Sequence, residues 1–209
     1  MNYHFIAIEG NIGAGKTTLS HLLSKKLNAR LILEEFADNP FLPRFYENPD
    51  QFAFPLELFF MAERYKQLKE VHTKDLFQSV TVADYLFTKC LLFAKVNLME
   101  DEFRLYHKLF EIIRQPLIQP DLLIYLHVPV HKLQKNIRKR NRPYELNIAD
   151  EYLFKIQETY TRYIKQHNLK TLFIDAENAD FLGNDTHFRL LLEALDKDFE
   201  EGQHYLALP

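Results

Sequence analysis

Five short runs of the chain are apolar at nearly every position: Phe5–Ile8, Leu31–Leu33, Val80–Ala83, Leu122–Leu126 and Leu172–Ile174. A strand with one face in water alternates apolar and polar residues, whereas a run apolar on both faces predicts a strand covered on both sides. Longer stretches between these runs carry apolar residues at helical spacing. Leu19, Leu22, Leu23 and Leu27 form one stripe, and Leu58, Met61, Ala62, Tyr65 and Leu68 form a second. Phe103, Tyr106, Leu109, Phe110 and Ile113 form a third, while Leu190, Leu191, Ala194 and Leu195 predict a C-terminal helix. The pairs Gln115-Pro116 and Gln119-Pro120 close the third stretch before the fourth strand, because the residue preceding a proline is pushed out of helical geometry. Strands alternating with helices predict an α/β fold, a five-stranded parallel sheet between helical layers. No repeat, low-complexity tract or linker interrupts the 209 residues, so one domain spanning 1–209 is expected.

The connection after the first run brings in chemistry. Three of the five glycines in the chain fall within Gly10-Asn11-Ile12-Gly13-Ala14-Gly15-Lys16-Thr17, a G-x-x-x-x-G-K-[ST] pattern between a strand and a helix. Glycines let the backbone wrap around phosphates so that successive N–H groups converge on them, at the positive end of a helix. Lys16 then offers a charge to the β- and γ-phosphates, and Thr17 a hydroxyl to Mg²⁺. ATP and Mg²⁺ are the cofactors this loop implies. It says nothing of the acceptor.

Composition narrows the partners. Hydrophobic content of 47% and charged content of 26% suit a globular protein, and a net charge of −3 excludes a general affinity for nucleic acid or anionic membrane. The single cysteine, Cys90, excludes an intramolecular disulfide. No apolar run approaches the ~20 residues a membrane span requires. With no signal-peptide pattern at the start of the chain, the expected location is cytoplasmic. Basic residues do cluster from Lys132 to Arg142, where a solvated helix face is the usual explanation. In a nucleotide-binding sheet the same run reads as an arginine-bearing lid, about 132–150, able to neutralise charge during phosphoryl transfer.

Ligands of a parallel sheet gather beyond the carboxyl ends of its strands. Two acidic sites fall there: Glu34-Glu35 after the second run and Asp84 after the third. Glu34 suits the carboxylate that a hydroxyl acceptor needs, and Asp84 the acid that helps hold the metal. Phe36, Phe41 and Phe45 near Glu34, with Arg44 the one cation close in sequence, favour a neutral acceptor over a nucleoside monophosphate or another charged metabolite. A non-catalytic ATP-binding subunit is the reading from a different class.

At this point the residues resemble the deoxynucleoside kinases, specifically the short bacterial deoxyadenosine/deoxyguanosine kinase type. The resemblance runs from the first strand to about Tyr163. It rests on the phosphate loop through Thr18, Glu34-Glu35 leading to Asp38-Asn39-Pro40-Phe41, Phe45-Tyr46, and Phe54-Pro55-Leu56-Glu57 leading to Arg64. Pro120–Leu126 and Arg140-Asn141-Arg142 with Glu145 and Tyr152 complete it. The resemblance implies transfer of a γ-phosphoryl group to a deoxynucleoside 5′-hydroxyl, often by a homodimer built through a helix bundle. Carried across by position, Glu34 is the base, Asp84 the acid near the metal, and Arg140 and Arg142 are lid arginines. Glu145 and Tyr46 fall near the sugar 3′-hydroxyl, and Arg64 orients the groups that contact the base. The chain departs from the pattern at three positions. Tyr85 stands in place of an arginine beside the 5′-hydroxyl, Asn136 replaces a lid arginine for which Arg138 is the candidate substitute, and Cys90 replaces an aspartate near the base pocket.

The family usually reads the base with a glutamine, and Glu57 stands there instead. An ionised glutamate only accepts hydrogen bonds, which suits guanine N1–H and N2–H₂ or the N3–H of thymine. A protonated Glu57 would donate to adenine N1, and an ion pair with Arg64 would remove it from the base altogether. A purine deoxynucleoside is the expected substrate.

Overall fold

In a computed structural model, residues 2–35, 39–72 and 79–209 are described. Six strands form one fully parallel sheet: β1 (Phe5–Gly10), β2 (Arg30–Ile32), β3 (Thr81–Ala83), β4 (Leu122–His127), β5 (Thr171–Asp175) and β6 (Gln203–Leu206). Their spatial order is β2-β3-β1-β4-β5-β6. The expected count of five is therefore corrected to six. β6 escaped the apolar criterion because Gln203-His204-Tyr205-Leu206 is an edge strand, half-buried and mostly polar, that among the described residues pairs only with β5.

Eight α-helices are described. They are α1 (Lys16–Leu27), α2 (Leu42–Glu47), α3 (Pro49–Leu68), α4 (Lys89–Asn97), α5 (Glu100–Ile113), α6 (Val130–Arg140), α7 (Asp150–Gln166) and α8 (Asp185–Leu195). The four apolar stripes correspond to α1, α3, α5 and α8. Alternation along the central strands sorts their side chains into two layers. Ile6, Ile8, Leu122, Ile124 and Leu126 pack with Leu19 and Leu23 of α1, Leu133 and Ile137 of α6, and Leu191 and Leu195 of α8. Ala7, Leu123 and Tyr125 face the other way, onto Leu92 of α4 and Ile156 and Tyr160 of α7. Phe5 and Ala83 meet Met61 of α3 and Tyr106 and Phe110 of α5. Every residue of β1 is buried, and each fully buried aliphatic side chain contributes about 1.5–3 kcal/mol. The sheet therefore provides a rigid platform.

The chain leaves β1 for the edge at β2, returns through β3, and then crosses β1 to reach β4. Such a reversal opens a crevice at the strands' carboxyl ends. Over that crevice, α6 stops at Asn141, which adopts a left-handed φ of 57° and turns the chain back. A 3-10 turn, Pro143–Glu145, follows directly. No helix among the described residues is long and apolar enough to cross a membrane.

Candidate active site

The loop from Gly10 to Gly15 joins β1 to α1. Gly15 precedes the helix with φ 90°, and the first turn of α1 holds no acidic residue that would compete for its free N–H groups. Gly13 (φ 82°) allows close packing under α6, since a Cβ there would lie 3.0 Å from the Leu133 carbonyl oxygen and 3.1 Å from Ile137 Cγ1. Buried Asn11 donates from Nδ2 to the Leu153 carbonyl (2.7 Å), anchoring the loop to α7. Asn136 of α6 donates to the Gly13 carbonyl (2.9 Å), so the residue in place of a lid arginine ties α6 to the loop. Lys16 Nζ donates to the carbonyls of Gly10 and Asn11, both at 2.9 Å. Burial, then the neighbouring positive charge of Lys89, lowers the Lys16 pKa to about 8.

Three strand ends meet beside this loop at Asp84. Its Oδ2 accepts from Thr17 Oγ1 (2.6 Å) and its Oδ1 from the Glu34 N–H (2.7 Å). Glu34 is gripped by two cations. Arg64 Nε donates to Oε1 at 2.9 Å, and Lys89 Nζ donates to Oε2 at 2.7 Å. Burial alone would raise the pKa of Glu34, but Lys89 and Arg64 together hold its carboxyl well below the usual carboxylate range. Beneath the loop, fully buried Glu9 accepts from the Leu86 N–H (2.8 Å) and the Tyr160 hydroxyl (2.9 Å). It thereby ties β1 to the turn between Asp84 and Lys89.

Two clefts open from this centre. The first is lined by Tyr46, Glu57, Phe60, Asn97, Glu145 and Tyr152, among others. The second passes over the loop toward Lys132, Lys139 and the segment Ala176–Leu182. Gly13, Lys16, Thr17, Glu34, Asp84, Arg140 and Arg142 line both. Arg140 and Arg142 each donate to Glu145, the latter at 3.2 Å, and Tyr46 stacks on Tyr144 with centroids 6.1 Å apart. Deep in the first cleft, Asn97 Nδ2 donates to Glu57 Oε1 (2.7 Å), while buried Oε2 has no hydrogen-bond partner among the described residues. Burial, opposed by the Asn97 hydrogen bond and by Arg64, pushes the Glu57 pKa up to about 7. Arg64 turns to Glu34 and to Cys90 Sγ (3.1 Å) rather than pairing with Glu57.

Most candidates converge: Ile12 lines the first cleft, Ala14, Gly15 and Thr18 line the second, and Tyr46, Glu57, Arg64 and Glu145 line the first. Gly10 and Asn11 lie under the loop and serve it through their carbonyls. Two candidates are displaced. Tyr85, expected to face the substrate, is fully buried in the core with Phe87, Cys90 and Tyr106, and its hydroxyl donates to Gln67 Oε1 (2.6 Å). Arg138, expected at the phosphates, is exposed and lines neither cleft. At about 100° per residue it lies roughly opposite Asn136 and Arg140 on α6; Lys132 and Lys139 share the inner face instead. Phe36 and Asp38 lie outside the described residues. Among the residues that sequence reasoning missed is Lys89, which reads as a solvated lysine before the apolar run Cys90–Ala94. Its burial, along with Thr88 and Cys90, is visible only in three dimensions.

A family model described as deoxynucleoside kinase matches residues 6–199. The chain belongs to the deoxynucleoside kinase family. Its members are phosphotransferases acting on deoxynucleosides, and the meeting of two clefts on a phosphate loop is the geometry such a transfer needs. The chain is 38% identical to a deoxyguanosine kinase of Bacillus subtilis (strain 168) over 192 residues, covering 88% of this chain and 92% of the relative. It is 31% identical to a deoxyguanosine kinase of Lactobacillus acidophilus, covering 95% and 92%. Among solved structures it superimposes on a deoxyadenosine kinase from M. mycoides with dCMP and a flexible dCDP bound. That match has a TM-score of 0.81 at 27% identity, over 92% of this chain and 98% of the other.

Proposed function

We propose that this deoxynucleoside kinase transfers the γ-phosphoryl group of ATP to the 5′-hydroxyl of a purine deoxynucleoside, with guanine the preferred base. The observation that carries the reading is that Glu34, Lys16, Asp84, Arg140 and Arg142 line both clefts, where donor and acceptor would meet. In this reading the donor lies over the loop and the nucleoside enters beside Glu57.

Glu34 accepts a hydrogen bond from the 5′-hydroxyl and aligns its oxygen with the γ-phosphorus. Its lowered pKa suits a loose transition state, in which phosphoryl leaves the donor before much proton transfer has occurred. Lys16, Arg140 and Arg142 offset charge on the transferring oxygens. Thr17 and Asp84, 2.6 Å apart, present the hydroxyl and carboxylate oxygens that suit Mg²⁺. When bound, the ion would neutralise charge on the β- and γ-phosphates. Glu145 and Tyr46 stand on the side of the acceptor cleft that suits the sugar 3′-hydroxyl, and Arg64 positions Glu34.

Base choice rests on Glu57. Its unpartnered Oε2, when ionised, accepts from guanine N1–H and N2–H₂; the names of the Bacillus and Lactobacillus relatives support the same base. A homodimer is also proposed. Exposed Leu105 and Ile112, seven residues apart and hence on one side of α5, support a helix-mediated contact.

The test is incubation of the purified chain with ATP, Mg²⁺ and each of the four deoxynucleosides in turn. Deoxyguanosine should give the most monophosphate and deoxyadenosine the next most. No product from any of the four, under conditions where ATP binds, would favour a non-catalytic subunit.

A further inference from the structure

We infer that Lys89 is a positioning residue of the phosphoryl-transfer step, holding Glu34 toward the acceptor hydroxyl. The inference rests on the kinase reading above and extends it to a residue with no part in the phosphate loop or the lid.

Lys89 begins α4, and its side chain is buried (6% exposed). A lysine this deep usually requires compensation, because removing an ammonium from water costs several kcal/mol. Its compensation is specific. Nζ donates to Glu34 Oε2 at 2.7 Å and lies 5.5 Å from the centre of the Phe93 ring. The ammonium therefore faces the acceptor cleft, which both Lys89 and Phe93 line.

An ordinary structural ion pair has one cation for its carboxylate; Glu34 has two. Glu34 already pairs with Arg64 through Oε1, so Lys89 is a second cation on the same carboxylate. Around the centre, Lys16, Arg64 and Lys89 face the carboxylates of Glu9, Glu34 and Asp84. The two cations also hold the Glu34 carboxylate from different sides, Arg64 from α3 and Lys89 from α4, which fixes its rotation. A single partner would leave the plane of the carboxylate free to turn away from the acceptor. The turn carrying Lys89 is held in turn by the Glu9 hydrogen bond to the Leu86 N–H.

The test compares wild type, Lys89→Met and Lys89→Arg as full-length proteins under saturating ATP and Mg²⁺. Loss of one preorganised charge should lower kcat about 10²-fold in Lys89→Met while KM for both substrates stays within about threefold. Lys89→Arg keeps the charge and should recover to within about tenfold of wild type. Because the effect acts through Glu34, combining Lys89→Met with Glu34→Gln should cost little more than Glu34→Gln alone. Unchanged kcat in Lys89→Met, equal losses for Met and Arg, or full additivity with Glu34→Gln would each overturn the inference. Should Lys89→Met fail to fold, Lys89→Gln keeps a hydrogen bond to Glu34 without the charge and is judged by the same loss of kcat. An active wild type indifferent to Lys89 sinks this inference alone. A wild type that phosphorylates no deoxynucleoside sinks the kinase reading with it.

Discussion

Glu34 and Glu57 line the same cleft, yet their surroundings drive them to opposite states. Glu34 has two cations within hydrogen-bonding distance, and they overcome its burial to keep it ionised. Glu57 has only the Asn97 amide among the described residues, and burial lifts its pKa to about 7. The difference between them lies in what shares the low-dielectric space. At the phosphate end, charge is fixed because the chemistry develops charge. At the base end, the group is left near its titration point, where its hydrogen-bonding character follows its proton.

The strongest way to break this comparison is to neutralise each carboxyl in turn. Glu34→Gln should lower kcat by about 10²–10⁴-fold, measured at saturating substrates, because it removes the acceptor for the hydroxyl proton. Glu57→Gln should leave kcat for the better base within an order of magnitude of wild type. Equal collapse of both variants would show that the two ends do not have separate tasks.

The next test concerns the base. Below pH 7 Glu57 is mainly protonated and donates, which suits adenine N1; above pH 7 it is ionised and only accepts, which suits guanine. The ratio of kcat/KM for deoxyguanosine over deoxyadenosine should therefore rise between pH 6 and 8. Glu57→Gln should shift that ratio toward adenine by about 10- to 100-fold, the effect of leaving one or two buried polar groups unmatched. It should also flatten the pH dependence. A ratio equally steep in wild type and Glu57→Gln would assign the titration to another group.

The smallest expected effect is at Tyr85. Its hydroxyl meets Gln67 and it lines neither cleft. Tyr85→Phe should leave kcat and KM within about twofold while costing about 1 kcal/mol of stability in urea unfolding, the worth of one hydrogen bond. A larger kinetic change would restore Tyr85 to the substrate site.

Local pattern determined a good deal of this protein. The five apolar runs and four helical stripes specify an α/β sheet because burial on both faces leaves no room for polar alternation. The glycines, Lys16 and Thr17 announce a phosphate loop because that loop is contiguous and its geometry is set by neighbouring residues. Glu34 and Asp84 were legible as acids at strand ends, where parallel topology collects ligands. β6 was not legible, since an edge strand need not be apolar. The placement of Tyr85 in the core, of Arg138 on the outer face of α6 and of Lys89 against Glu34 belongs to tertiary structure alone. Each depends on how separate elements pack against one another, which no local stretch of sequence records. So does the contrast between Glu34 and Glu57: the sequence writes both as glutamate, but burial and the cations the fold brings to each decide which one keeps its proton.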